Sequence, residues 1–272
     1  MRISVITVVL NDPRVGRALA SILAQEVDAE TELIVIDGGS SDERTLEELE
    51  RYRRHLSVFL SEPDQGLYDA MNKGLRYATG DIIGFLNADD RYADRSVLRD
   101  VAAAFADPSI EACYGDVVYT SRQDERIIRY WRAGTYKRWK YYWGWMPTHL
   151  TFFARRSVYE RLGHFDLAYP IAADYDLMLR FLFLGNIRVH YIPRILVCMD
   201  AGGTSNDSLR AIVRGNWECW QIWKKHGLTL HGILVPLVKP LRKVGQFLRR
   251  PPAIPEVLRA QSAARTVTAA TG

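Results

Sequence analysis

The sequence predicts an α/β fold with a mainly parallel central sheet flanked by helices. Two observations carry that expectation. Apolar, β-branched runs alternate with amphipathic stretches over the first 120 residues, the pattern of repeated βαβ units. Polar and glycine residues also gather directly after successive runs: Asn11-Asp12, Asp37-Gly38-Gly39, Glu62-Pro63-Asp64 and Asn87-Ala88-Asp89-Asp90. In an open parallel sheet the carboxyl ends of the strands form one edge, and ligands bind in the crevice there. Four separated stretches are thus expected at one site.

The elements follow in order. Ile3 to Leu10 reads as a buried strand, Val15 to Gln25 as an amphipathic helix, and Glu32 to Ile36 as a second buried strand. A helix is expected over Thr45 to His55, a short strand over Val58 to Leu60 and a helix over Tyr68 to Tyr77. Ile82 to Leu86 is the next strand, Arg95 to Phe105 the next helix, and Ala112 to Tyr119 another strand. Beyond residue 120 the pattern loosens. An aromatic and basic run, Tyr130 to Trp145, precedes a proline-containing loop, and a helix follows it at AADYDLMLRF. MDAGGTSND reads as a flexible turn, and regular helix returns over Leu209 to His226. This divides the chain into 1–225, in halves 1–120 and 121–225 that the resemblance described below makes the nucleotide-binding and acceptor-binding halves, then a basic amphipathic segment 226–250 and a disordered tail 251–272.

Composition bounds the rest. A chain of 272 residues that is 48% hydrophobic can bury one large core, so intrinsic disorder is excluded for most of it. The net charge of +4 is mild and concentrated late, with Glu256 the only acid after His226. Cys113, Cys198 and Cys219 are odd in number and widely spaced, which argues against a disulfide framework and for a reducing compartment. MRISVITVVLND lacks a small-residue cleavage site and reads as a strand, not a signal peptide. No uncharged apolar run approaches the roughly 18 residues of a spanning helix. A cytoplasmic location is expected, with contact at the inner face of the membrane open through HGLTLHGILVPLVKPLRKVGQFLRR. That segment mixes aliphatic residues with five Lys or Arg, and reads equally as a packing helix or an interfacial one; Pro236 and Pro240 interrupt it.

The adjacent carboxylates Asp89-Asp90 need explaining. They form either a solvated turn or a site where a cation relieves their repulsion. A hard divalent ion held by one or two carboxylates together with substrate phosphates fits their place after a buried strand. Asp37 either caps the following segment or accepts hydrogen bonds from a ribose or base. Asp174 and Asp176 stand at a helix start, where one could cap free N–H groups and the other act in catalysis. His149, His164 and His190 lack metal-ligand spacing. There is no G-x-G-x-x-G after the first strand, no P-loop and no G-x-S-x-G elbow. Two other functions compete: nucleotidyl transfer, for which a Gly- and Arg-rich loop after the first strand is missing, and nucleic-acid binding through Tyr130 to Trp145.

Four segments, SVITVVLN, LIVIDGGSSDERT, SEPDQGLYDAMNKGLRYATGDIIGFLNADD and ADYDLMLR, together resemble the family 2 glycosyltransferases, most closely their bacterial colanic-acid and exopolysaccharide branch. The resemblance runs in order from Ile3 to about Ser205. It implies a GT-A fold with a C-terminal helical extension. The reaction it implies uses a nucleotide-diphosphate sugar donor and Mg²⁺ or Mn²⁺, and inverts the anomeric centre of the transferred sugar. A glycan or lipid-linked saccharide is the implied acceptor, and no nucleic acid is a partner. It places Val8 and Asn11 at the nucleotide-sugar, Asp37 at the nucleobase, Asp64 with Lys73 at the nucleotide, Asp89 at the ribose and Asp90 on the metal. Asp174 becomes the general base, and His149, in PTHLTFF, lies near the acceptor or the donor phosphates. Ala173-Asp174 replaces the family's Glu-Asp, and the absence of Q-x-x-R-W implies addition of one sugar per acceptor.

Overall fold

The computed structural model describes residues 1–123, 126–201, 209–228, 246, 251–253, 255 and 258. Its first half follows the predicted alternation: β1 (Arg2–Val9), α1 (Val15–Leu23), β2 (Glu30–Asp37), α2 (Glu43–Tyr52), β3 (Val58–Ser61), α3 (Leu67–Tyr77) and β4 (Ile82–Phe85). The second half holds β5 (Asp90–Tyr92), α4 (Val97–Ala104), β6 (Ala112–Thr120), β7 (Ile127–Trp131), β8 (Phe153–Arg155) and α5 (Arg156–Leu162). It closes with α6 (Ala173–Met178), β9 (Val189–Asp200) and α7 (Leu209–Lys225). A π-helical stretch, Leu179–Leu184, continues α6.

Among the described residues, all nine strands share one sheet in the order β3-β2-β1-β4-β8-β6-β9-β5, with β7 beside β6. β3, β2, β1 and β4 are mutually parallel, and β6 runs parallel to β9. The β8, β7 and β5 pairings are antiparallel, so the second half of the sheet is mixed. The strand order reverses between β1 and β4, the kind of switch point where such sheets open a crevice.

Local chemistry explains the elements. β1 is buried on both faces: Ile3 and Val5 enter one core with Leu33 and Val35, while Ile6 and Val8 enter the other with Ile34 and Ile36. That alternation across the sheet is the strand period of two. α1 buries Val15, Ala18, Leu19 and Ile22, one helical face. α2 starts at Asp42, whose carboxylate accepts from Thr45 N at 2.9 Å. α3 starts at Gly66, whose φ of +114° is left-handed backbone suited to glycine. In β4, a Cβ on Gly84 would stand 2.3 Å from the Phe153 ring, so the glycine lets β8 and its aromatic close over the sheet.

Several expectations need amendment. β5, β7, β8 and β9 were not anticipated from the sequence. Asp90 lies in β5 rather than in a wet loop, and is 2% exposed. Of the two acids of α6, Asp174 takes a free first-turn donor, its Oδ1 accepting from Tyr175 N at 2.7 Å, although the N-cap position itself is Ala172. Asp176 is instead buried, accepting from Arg180 Nε at 2.7 Å, with His226 Nε2 at 3.0 Å. The free N–H groups of Ile171 and Ala172 go to the Glu218 carboxylate of α7, each at 2.9 Å. Most of the 226–250 segment and of the 251–272 tail lies outside the described residues, as does most of MDAGGTSND. Within the expected tail, Leu258 is buried among Ala93, Val118, Tyr130, Ile195 and Cys198. The three cysteines are buried and none is in a disulfide. Among the described residues no helix is long and apolar enough to cross a membrane.

Candidate functional site

The ends of the four parallel strands are tied into one edge. Asn11, after β1, has a φ of +48° and turns its side chain to accept from Ser41 N and Asp42 N at 2.8 and 2.9 Å. This binds the β1 loop to the loop after β2. Val8 sits inside the core, one residue from the end of β1. Asp37, the last residue of β2, is fully buried; it accepts from Ser40 N and, at 2.6 Å, from the Ser61 hydroxyl of β3. Its carboxylate therefore organises this corner, and only a rearranged shell would free it for a base. Asp64 lies against Gly38, where a Cβ would meet its Oδ2 at 2.3 Å. Lys73 of α3 reaches back to brace the same loop, donating to Pro63 O at 2.7 Å and pairing with Glu62 at 2.8 Å.

At the switch point the loop after β4 brings Asp89 and Asp90 beside Arg14. The Arg14 guanidinium hydrogen-bonds Asp12 at 2.8 and 2.5 Å and lies 3.7 Å from Asp89 and 3.3 Å from Asp200. Asp200, last in β9, also has Arg91 at 3.6 Å and Arg17 at 3.8 Å. Burial raises the Asp89 carboxyl, Arg14 opposes the shift, and Asp12 and Asp200 add to it. Asp90 is pushed well above the usual carboxylate range by burial, then by Asp89 and Asp200. Both its side-chain oxygens are buried with no hydrogen-bond partner among the described residues.

An unpartnered buried carboxylate is costly unless a cation or proton completes it. The residues fit a divalent ion of the kind held by one or two carboxylates and a bound diphosphate. They do not fit an all-protein cage, because no group of three or more metal-ligating side chains occurs among the described residues.

A second wall faces this edge. α6 begins at Ala173 and places Asp174 in its first turn. His149, in the 3₁₀ turn His149–Thr151, has its Nδ1 3.4 Å from Asp174 Oδ2. Its Nε2 is buried without a hydrogen-bond partner among the described residues. Burial pushes the Tyr119 hydroxyl of β6 up to about 12; the Arg129 charge opposes the shift, and the charges of Asp90 and Asp174 add to it.

Arg14, Asp200 and Glu218 were not singled out from the sequence. Asp200 carried a usable signal, since LVCMD ends an apolar run in an acid just as LIVID does. The others carried none, for an arginine in a loop or a glutamate on a helix is ordinary.

The family model described as glycosyl transferase family 2 matches residues 4–163, more than half of the sequence. A PGL/p-HBAD biosynthesis glycosyltransferase of Mycobacterium bovis (BCG) is 31% identical over 209 residues, 75% of this chain and 78% of the relative. An uncharacterized glycosyltransferase of Mycobacterium tuberculosis (H37Rv) is 31% identical over 187 residues, 65% of this chain and 68% of its own. Among solved structures, S. aureus TarS 1-349 with UDP-GlcNAc aligns with a TM-score of 0.65 at 18% identity, over 89% of this chain and 72% of TarS. The mannosyltransferase PcManGT of Pyrobaculum calidifontis, with GDP-Man and Mn²⁺, gives 0.61 at 18% identity, over 98% and 80%. These two establish likeness of fold, the GT-A arrangement. With the strand-end edge, the facing α6 wall and the family match in place, the chain belongs to glycosyl transferase family 2 and is a glycosyltransferase.

Proposed function

We propose that the enzyme transfers one sugar at a time, with inversion, from a nucleotide-diphosphate sugar to a hydroxyl of a glycan or lipid-linked saccharide. The setting in this reading is bacterial surface polysaccharide or glycolipid synthesis of the colanic-acid type. The observation that carries it is Asp90, 2% exposed with both oxygens unpartnered at the strand-end edge. Asp90 would hold Mg²⁺ or Mn²⁺ there, and the ion when bound would supply positive charge to offset that of the leaving diphosphate. The chain's own residues do the rest. Asp37 meets the base; Asp64, Lys73, Asn11 and Val8 shape the nucleotide cradle; Asp89 takes the ribose. Family membership sets aside nucleotidyl transfer and nucleic-acid binding.

An acceptor hydroxyl has a pKa far above neutrality, so a placed carboxylate must take its proton as the new bond forms. Asp174 is that base, on a wall separate from the acids of the donor edge, as a single displacement requires. His149, 3.4 Å from it, orients the carboxylate beside the donor phosphates. One relative is described as a PGL/p-HBAD biosynthesis glycosyltransferase, and two structures of like fold hold UDP-GlcNAc or GDP-Man, which supports the donor class. Asp174→Asn is expected to keep metal-dependent thermal stabilisation by the donor while transfer falls about 10²–10⁴-fold. Near-normal transfer by that variant refutes the assignment. Contact of segment 226–250 with anionic membrane rests on its composition alone. Equal vesicle flotation by the full chain and a chain ending at residue 229 would dismiss it.

A further inference from the structure

We propose that the outward face of α7 docks onto an anionic lipid surface, the helix lying flat at headgroup level with Trp217 and Trp220 inserted. Its inner face is settled. Cys219, Ile222 and Trp223 are fully buried, and Trp223 Nε1 donates to the Tyr175 hydroxyl of α6 at 2.8 Å. Val213, Trp217, Trp220 and Lys224 follow one another at spacings of four, three and four residues, so they form one stripe along the opposite side of the helix. Val213 is 67% and Trp217 56% exposed, and the Trp217 and Trp220 rings meet with centroids 4.8 Å apart.

Such a stripe leaves large apolar area in water until something covers it. Charge says what does. α7 carries Arg210, Arg214, Lys224 and Lys225 against a single acid, Glu218, which is turned inward. Arg214 pairs with Glu218 and Lys225 with Asp166, which leaves Arg210 and Lys224 exposed beside the tryptophans, Lys224 over the Trp220 ring at 5.6 Å. Bases bordering a tryptophan stripe match anionic headgroups, and tryptophan is the side chain that settles at the boundary of lipid and water. The neighbouring turn is built alike. Residues 138–143 pack on α7 through Tyr142 and Trp223, rings 5.9 Å apart, and the turn holds Trp139 and Trp143, 55% and 52% exposed, with Arg138 and Lys140. Of the chain's seven tryptophans, the three more than half exposed thus lie on α7 or in the turn packed against it. A second copy of the chain fits this face less well, since a two-fold pairing would bring its own bases together.

This surface is distinct from segment 226–250, whose bases follow it in sequence and extend the charge. Because Glu218 of α7 holds Ile171 and Ala172, a docked α7 carries the Asp174 wall to the headgroups, where a lipid-linked acceptor would be met. That consequence rests on the proposed function; the docking does not.

Vesicle co-sedimentation of the full chain tests it with neither donor nor acceptor present, so its failure leaves the transferase reading untouched. The wild type is expected to bind vesicles of mixed phosphatidylcholine and phosphatidylglycerol, and pure phosphatidylcholine about tenfold more weakly. Val213→Gln with Trp217→Gln should lower the partition coefficient by about tenfold or more, through apolar area withdrawn from the interface. Arg210→Gln with Lys224→Gln should lower it about fivefold per charge at low salt, a difference that vanishes near about 0.5 M NaCl. All four positions lie outside the core, so melting within about 2 °C of wild type shows that the variants fold. Absence of wild-type binding at low salt overturns the proposal. Equal binding by the Val213→Gln, Trp217→Gln protein overturns it too, and assigns membrane contact to segment 226–250. A wild-type dimer in sedimentation velocity that this variant turns into a monomer, without vesicle binding, would make a second copy the occupant instead.

Discussion

Removing the carboxylate of Glu218 should unseat the helix that carries Asp174. Glu218 is 4% exposed and lies on α7, yet its Oε2 accepts from Ile171 N and Ala172 N, the last free donors before α6. Truncation in Glu218→Ala strands both. A buried donor left unsatisfied costs about 1–3 kcal/mol. Ala172 N is buried and incurs that in full; Ile171 N is partly buried, so water recovers some of its bond. The total is about 2–4 kcal/mol. For a chain of this size each kcal/mol moves the melting point by about 2–4 °C, so Tm should fall by roughly 4–15 °C. Glu218→Gln keeps an amide oxygen in the same place and loses mainly the charge opposite Arg214, whose side chain is 61% exposed. An ion pair so wet is worth about 0–1 kcal/mol, so the glutamine variant should melt within about 3 °C of wild type. The assay is paired thermal and urea denaturation of both variants. A loss below about 1 kcal/mol in Glu218→Ala, or equal damage from Gln and Ala, refutes the reasoning.

Two other outcomes are expected. Asp90→Asn should stabilise the metal-free protein by about 1–3 kcal/mol at neutral pH, because it removes an uncompensated buried carboxylate, while abolishing the extra stabilisation that Mn²⁺ adds with a nucleotide-sugar. Differential scanning fluorimetry with and without Mn²⁺ checks both, and a less stable variant would contradict the electrostatic account. Burial raises the Asp94 carboxyl, but hydrogen bonds from Arg194, at 2.7 Å to each oxygen, and from Ser96 outweigh it and hold it low. A depressed folded-state value means stability present above the unfolded value and lost as pH falls through the folded one. Asp94→Asn should therefore cost about 1–2 kcal/mol at pH 7, and urea titrations should show the gap closing below about pH 4. A gap independent of pH would remove the charge from the explanation.

The parallel half of the fold was legible because its strands are buried on both faces and its loops carry the polar signal. VITVV, LIVI and IIGF leave no choice of face, and each ends in acids or glycine. β9 was hidden for the opposite reason. Its run VHYIPRILVCMD mixes exposed and buried positions and includes Pro193, a residue that weakens a strand reading. β5 is three residues long, too short to show a period. At the site, the acids at strand ends could be read as a set because each terminates an apolar run. Arg14 could not, since its partners Asp89 and Asp200 lie far along the chain. At α6 the local expectation was only half the account: Asp174 takes Tyr175 N, but the donor of Ala172 goes to Glu218, from 46 residues away.

The fastening of α6 also sets an order of events in folding. Its fastenings reach back 103 residues, from Ile171 just before it to Tyr68, and forward 50, from Asp176 to His226. Loops that long close late, after the β1-to-β4 units have joined through near neighbours. During synthesis the strand-end edge can therefore form while Asp174 is still unplaced. Only when α7 has emerged and docked does Asp174 take its position, so a nascent chain can hold one wall of the proposed site before the other exists.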